Sequence, residues 1–360
     1  MMAGQMNIDS IDEIRKIDKG GVLLSVEALA KQCRQAWEEV KNTKRNDYGK
    51  IERLIVAGMG GSALGAELIR AVYGDRLEIS MEIVRDYHLP KYVDEKTLVV
   101  LSSYSGTTEE TLSTAEEAEK AGAKIMVITS GGDLEKLGRE KDWQMFVIRP
   151  EFNPCGQPRM ALGYSIVGIL GLLRSTGIIA VEDEEMEKVI AVIEKVGEKC
   201  GVEVTGEDNP AKKIARELVG KMVVAVGAGH LAGNPKIFCN SANENAKIPA
   251  FPCLIPEMNH HLLEGLGKPE TNRETVAFLL MESDNYEPEI KKRMAVTEKV
   301  IDQNGIKLVK IMAEGKERLT EAFYLVTFGG WVIFYLAILY RIDPSLIPWV
   351  DLFKAEMKKD

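Results

Sequence analysis

The sequence is short of the side chains that build metal centres. Its 360 residues include four histidines, His88, His230, His260 and His261, and no HExxH run. Its five cysteines, Cys33, Cys155, Cys200, Cys239 and Cys253, form no CxxC pair. A zinc site of either common pattern is therefore excluded, and the expected metal content is none. An odd, scattered set of cysteines is not a disulfide framework and fits a reduced, cytoplasmic setting. There is no basic block: 46 basic against 55 acidic residues leave a net charge of −9, which argues against a nucleic-acid partner. Residues Met1–Gly20 lack the apolar core of a signal peptide. One uncharged run, Ala322–Tyr340, approaches the about 20 residues that cross a bilayer. Gly329 and Gly330 in its middle favour close protein packing, so a buried helix or a subunit interface is expected, not a membrane span.

What is present is ordinary for a globular enzyme: 45% hydrophobic and 28% charged residues, with a length that suits two domains at about 150 residues each. Ser10-Ile-Asp-Glu13 is a capping box that starts a helix. Val26, Leu29, Ala30, Cys33, Trp37 and Val40 recur at helical spacing and predict a second helix near 25–43. Short β-rich runs then alternate with helical patterns: Leu54–Ala57, Glu82–Val84, Leu98–Leu101, Lys124–Ile128 and Met145–Ile148. That alternation predicts a parallel sheet wrapped by helices. After a helical pattern over 182–199, a polar stretch at Gly201–Asn209 reads as a linker, and Asn209-Pro210 as the next helix start. A second series opens with Met222–Val226.

Both series begin with a strand followed by Gly-x-Gly-x-x-Ala, at Gly58–Ala63 and Gly227–Ala232, so the chain reads as a duplicated α/β unit. The expected division is 1–46, an N-terminal helical extension; 47–200, the first unit; and 201–360, the second with C-terminal helices. A glycine turn after a strand suits either a dinucleotide or a small anion at a helix N-terminus. Asp86 lies further from Gly58 than the about 20 residues usual for a ribose-binding acid.

The run Leu101-Ser-Ser-Tyr-Ser-Gly-Thr-Thr-Glu-Glu110 crowds hydroxyls at a strand end, where a parallel sheet binds its ligands. Hydroxyls and backbone amides there can hold a phosphate without a lysine; equally, the run can be a polar turn with one useful cap, Thr107 with Glu110 as a capping box. The equivalent strand of the second unit, Thr275–Met281, leads into Glu-Ser-Asp-Asn-Tyr-Glu, whose carboxylates would repel a phosphate. One phosphate crib, in the first unit, is the consistent reading. Glu244, amid the small and amide residues Ser241–Ala246, reads either as a surface glutamate or as a base. His260 and His261 share a loop, and an imidazole both gives and takes protons near neutral pH.

Gly60-Gly-Ser62 followed by Ser103-Tyr-Ser-Gly-Thr-Thr-Glu109 resembles the sugar isomerase (SIS) domain family. Arg85-Asp-Tyr87, Gly156-Gln-Pro-Arg159, Asn243-Glu-Asn-Ala-Lys247 and Asn259-His260 narrow the resemblance to the bifunctional phosphoglucose/phosphomannose isomerases. It implies a fold of two SIS-type parallel-sheet subdomains, a homodimer with a site shared between chains, and no cofactor. It also implies a sugar 6-phosphate substrate: glucose 6-phosphate, and mannose 6-phosphate, would interconvert with fructose 6-phosphate without a metal. By the same resemblance Gly61, Ser62, Ser103, Ser105 and Thr108 bind phosphate, and Glu244 moves the carbon proton. Arg159 holds developing negative charge, His260 opens the sugar ring, and Lys354 assists at the ring oxygen. The chain has Asn259-His260-His261-Leu262 where the family often has Asn-His-Asn-Glu, which leaves the choice between His260 and His261 open. A sugar-phosphate regulator without catalysis would need the hydroxyls but not Glu244, His260 and Arg159 together. A nicotinamide dehydrogenase would rest on the glycine turns alone.

Overall fold

The computed structural model describes residues 7–359. The first six residues of the expected N-terminal extension and the last of the expected second unit lie outside that range. Three helices lead in: α1 (Ile11–Ile17), α2 (Val22–Glu27) and α3 (Leu29–Val40). The Ser10 hydroxyl accepts from the Glu13 amide at 3.4 Å, so Ser10 caps α1 as expected, but the other half of the box does not form, because the Ser10 amide donates to the Asn7 carbonyl. The single helix expected near 25–43 is two. Asp18 starts the earlier one, its carboxylate accepting the Val22 and Leu23 amides at 2.8 Å. Ala28 then leaves helical geometry (φ −87°, ψ 2°), which lets α2 and α3 face different neighbours.

The first sheet uses β1 (Arg53–Gly58), β2 (Ser80–Val84), β3 (Thr97–Ser102), β4 (Lys124–Thr129) and β5 (Gln144–Val147), with α4 (Leu64–Tyr73), α5 (Glu109–Lys120) and α6 (Gly132–Glu140) between strands. All pairs are parallel, in the order β2-β1-β3-β4-β5. Alternate strand residues point to opposite faces. Leu54, Val56, Leu98, Val100, Met126 and Ile128 join one core, with α4 and α7 (Leu162–Ser175). Ile55, Ala57, Val99, Leu101, Ile125 and Val127 join a separate core under α5 and α6. Both faces are covered, which is why these strands read as unbroken apolar runs.

Helix α8 (Asp183–Cys200) and α9 (Pro210–Leu218) precede the second sheet. Asn209 joins them: its side-chain Oδ1 accepts the Ala211 and Lys212 amides at 3.0 Å, and its side-chain Nδ2 donates to the Cys200 and Gly201 carbonyls. The sheet uses β6 (Met222–Ala228), β7 (Ala250–Ile255), β8 (Val276–Glu282) and β9 (Lys307–Met312), parallel in the order β7-β6-β8-β9. Between them lie α10 (Asn234–Ser241), α11 (Asn272–Thr275) and α12 (Pro288–Gln303). The order repeats that of the first four strands, so the duplication read from the two glycine turns is present in the sheets.

The uncharged run lies in α13 (Arg318–Leu339), which is long and apolar enough to cross a membrane. It is instead a core helix: α2, α8, α9 and α10 pack around it, and 89% of its apolar window is buried within the chain. Phe238 lies against Gly329, so the close approach expected of the glycine pair is made by α10 at Gly329, and Gly330 has no neighbour among the described residues that a side chain would meet. This burial removes α13 as a motive for a subunit interface. The exposed apolar surface lies elsewhere, on α14 (Pro348–Glu356) and on the sheet-edge strand β7.

Candidate active site

Strand order reverses between β1 and β3, and ligands of open parallel sheets bind outside the carboxyl ends of strands at such a point. Two turns meet there. The first, Gly60–Ala63, carries Ser62, whose hydroxyl accepts the Tyr104 amide at 3.0 Å while its carbonyl accepts the Ser102 hydroxyl at 2.8 Å. In the second, the Ser103 and Thr108 hydroxyls are 2.8 Å apart, and Ser103 also accepts the Gly106 amide at 3.1 Å. Gly106 has φ +68°, and a Cβ there would stand 1.8 Å from the Gly131 carbonyl, so this loop admits only glycine at that position. Ser105 faces outward, accepting among the described residues only from the Thr107 amide and hydroxyl. Ser103, paired with Thr108, is therefore the buried brace of the loop, and Ser105 is its open hydroxyl. The expected Thr107–Glu110 capping box does not form: α5 begins one residue later, with Thr108 at the N-cap and no side-chain cap bond, because both hydroxyls are turned into the loop.

Gly61 joins this crib to Arg159. A Cβ on Gly61 would lie 3.1 Å from the Arg159 Cα, so the absent side chain is what lets the two turns touch. Arg159 is 3% exposed and its guanidinium is held on every side. Nε donates to the Asn245 Oδ1, Nη1 to the Gln157 Oε1 at 2.9 Å, and Nη2 to the carbonyls of Pro344 and Ser345 at 2.8 and 2.9 Å. Burial pushes its pKa down, and the Glu244 charge opposes that push. The carboxylate of Glu244 lies 3.6 Å from Nη1 and keeps 30% of its side chain exposed. A fixed cation therefore stands beside a carboxylate that solvent, or a small ligand, can still reach.

The segment carrying Glu244 is a π-type turn, Ala242–Ala246, at the end of α10. Such turns re-aim side chains that a regular helix would stack. Four residues of its motif have separate tasks. Asn243 exchanges hydrogen bonds with the backbone of Ala250, its Oδ1 accepting the amide at 2.8 Å, which pins the turn to β7. Glu244 faces Arg159 Nη1, and Asn245 holds Arg159 Nε. Lys247 closes the turn in a left-handed conformation, φ 58°.

The structure brings Gly61, Ser62, Ser103, Ser105, Thr108, Arg159 and Glu244 into this one region. His260 and Lys354 make no hydrogen bond or ion pair with Arg159 or Glu244 among the described residues, although α14, which carries Lys354, starts just after the Pro344 and Ser345 carbonyls that hold Arg159 and brings the Asp351 charge to bear on it. His260 is exposed on the turn Glu257–His260 after β7 and makes no hydrogen bond or ion pair among the described residues. That turn is fixed by Asn259, whose amide donates to the Thr297 hydroxyl at 2.8 Å. His261 is also exposed, 4.0 Å from Glu257. Lys354 is exposed on α14. His88 is a surface residue paired with Glu117 at 2.7 Å, and this partner raises its pKa. His230 is buried, 2.6 Å from Glu321, which also accepts from the Ser283 hydroxyl at 2.9 and 2.8 Å. At the carboxyl ends of β6 and β8, the chain's own Glu321 carboxylate thus bonds both His230 and Ser283.

Residues 48–151 match the SIS domain family, and residues 207–357 match the family described as the bacterial phospho-glucose isomerase C-terminal SIS domain. A bifunctional phosphoglucose/phosphomannose isomerase of Caldicellulosiruptor bescii is 33% identical over 339 residues, 92% of this chain and 98% of that protein. The chain belongs to the bifunctional phosphoglucose/phosphomannose isomerase family. A second family relative, from Aquifex aeolicus, is 30% identical and covers 90% of this chain and 94% of its own. Among solved structures, a hypothetical protein of Thermus thermophilus shares the fold, with a TM-score of 0.73 over 96% of this chain and 93% of that one at 17% identity.

Within this family fold, several contacts were not legible in the motifs. Gln157 is visible in Gly156-Gln-Pro-Arg159, but its bond to Arg159 is not. The Pro344 and Ser345 carbonyls reach Arg159 from the segment between α13 and α14, and backbone carbonyls carry no sequence signature. Lys247 stands three residues after Glu244 in the quoted motif, and that spacing was the available signal.

Proposed function

We propose that the chain is an aldose–ketose isomerase that interconverts glucose 6-phosphate, and mannose 6-phosphate, with fructose 6-phosphate through a cis-enediol(ate). The observation that carries this reading is the buried Arg159, fixed by four hydrogen-bonded partners and facing the accessible carboxylate of Glu244 beside a hydroxyl-lined crib. A sugar-phosphate regulator needs the crib but gains nothing from a cation–carboxylate pair next to it. In the reaction, Gly61, Ser62, Ser103, Ser105 and Thr108 hold the phosphate through hydroxyls and amides. Glu244 takes the proton from C2 of the aldose and returns it to C1. The proton's departure leaves negative charge on the enediolate oxygens, and a pre-oriented Arg159 stabilises it there. His260 protonates and deprotonates the ring-opening oxygens, with Lys354 at the ring oxygen.

His260 reaches the site from a second copy of the chain. Two exposed apolar surfaces support a homodimer. One is α14, where Trp349 is 80% and Phe353 64% exposed. The other is β7, an edge strand bearing Phe251, 54% exposed, and leading straight to the His260 turn. Exposed apolar patches and uncovered strand edges mark association surfaces, and a two-fold contact covers both copies at once. The reaction is tested by incubating the purified chain, in chelator-treated buffer, with each aldose phosphate and measuring fructose 6-phosphate. Product from both is expected. No product from glucose 6-phosphate would overturn the reading, and none from mannose 6-phosphate alone would restrict it.

The crib assignment has its own test. Removing a hydroxyl that bonds a charged group costs about 1.5–3 kcal/mol. Ser105→Ala is therefore expected to raise KM for fructose 6-phosphate by roughly 10- to 150-fold, with little change in thermal stability because Ser105 braces nothing in the core. An unchanged KM would remove Ser105 from the phosphate site.

A further inference from the structure

Lys247 has no part in the reaction as set out above, yet it is the residue that closes the turn carrying Glu244. Its backbone is left-handed, φ 58° and ψ 32°, a conformation that glycine or asparagine takes at a helix end far more readily than lysine. Its side chain is half-buried. Glycine would satisfy the backbone, so the reason for a lysine must lie in the ammonium group. Nζ donates to the carbonyl of Glu244 and lies 3.4 Å from that of Asn245. These carbonyls belong to the end of a helical turn, where acceptors are short of amide donors and a cation is favoured. The lysine thus bonds the backbone of the two residues whose side chains meet Arg159.

We infer that Lys247 is a positioning residue for the isomerisation: its ammonium clamps the Glu244 carbonyl and so holds the Glu244 carboxylate at the Arg159 side of the site. The inference rests on the isomerase reading above. The charged groups that face Lys247 are Arg159, which repels it, and Glu244 and Asp343, which attract it. Burial, with Arg159 adding to it, pushes its pKa down to about 8, so the clamp loses its charge just above neutrality. A neutral amine is the weaker donor. The turn is then held less firmly, and a misplaced base slows a proton transfer without loosening the phosphate.

The test is kcat and KM for fructose 6-phosphate between pH 6 and 10, for the native protein, Lys247→Arg and Lys247→Gly. Native kcat is expected to fall as pH rises through about 8. Lys247→Arg should move that alkaline limb upward, because a guanidinium stays charged across the range. Lys247→Gly relieves the left-handed backbone and should melt no lower than the native protein. It should nevertheless lose about ten- to a hundredfold in kcat at pH 7 with KM nearly constant, and show no alkaline limb. Native-like kcat in Lys247→Gly, or an unmoved limb in Lys247→Arg, overturns the positioning role. An inactive native protein would instead fail at the isomerase reading, so the two failures are told apart by the native control.

Discussion

Glu244→Gln is expected to lower kcat for glucose 6-phosphate by about 10²- to 10⁴-fold, the range supplied by a positioned general base. The substitution keeps the side chain's shape and removes its ability to accept a carbon proton. The surroundings should hold, because Asn243 still pins the turn to Ala250, and Arg159 keeps Asn245, Gln157 and the Pro344 and Ser345 carbonyls. Only the 3.6 Å ion pair is lost. The phosphate crib lies in the other sheet's turns, so KM should change little. Steady-state kinetics with a thermal melt check all three points. Near-normal turnover would exclude Glu244 as the base and direct attention to a histidine.

Mixing inactive Glu244→Gln with inactive His260→Ala chains is expected to restore about a quarter of native activity after free exchange in a two-fold dimer. Random pairing makes half the dimers mixed. Each mixed dimer holds one site with both groups intact and one with neither. The motive is geometric: His260 is exposed at the end of an apolar edge strand and makes no hydrogen bond or ion pair, with Arg159 and Glu244 or any other group, among the described residues. The experiment needs a sedimentation measurement and a labelled-subunit exchange control. A monomer at assay concentration would discard the interface. Failure of rescue with exchange demonstrated would return His260 to its own chain's site. Running the same mixture with His261→Ala distinguishes the two neighbouring histidines, since only the ring-opening one should need rescue.

Much of the fold was legible because it depends on local pattern. Apolar runs such as Leu98–Leu101 bounded by turn residues became strands covered on both faces. Ser10 and Asn209 started helices where their side chains reach free amides. The hydroxyl run after β3 lay at the switch point because strand order alone brings it there. The misreadings share one cause. Thr107 had the spacing of a cap, but competing hydroxyls inside the loop took its bond. Val26 and Trp37 had the spacing of one helix, but the packing of α2 and α3 against different neighbours broke it at Ala28. Ala322–Tyr340 suited either a buried helix or an interface, and helices distant in the chain decided for the buried helix.

By itself, then, the sequence determined the duplicated α/β plan, the hydroxyl crib and the isomerase family, because periodicity, turn chemistry and short motifs are written in neighbouring residues. Tertiary structure alone decided how Arg159 is held. Its partners come from residues 157, 245, 344 and 345, and two of them are backbone carbonyls. It also decided what meets the second glycine turn, where the carboxylate of Glu321, from a helix far along the chain, bonds His230 and Ser283. Hydrogen bonds and ion pairs form between groups that packing brings within about 3 to 4 Å, and a linear pattern carries no record of that distance.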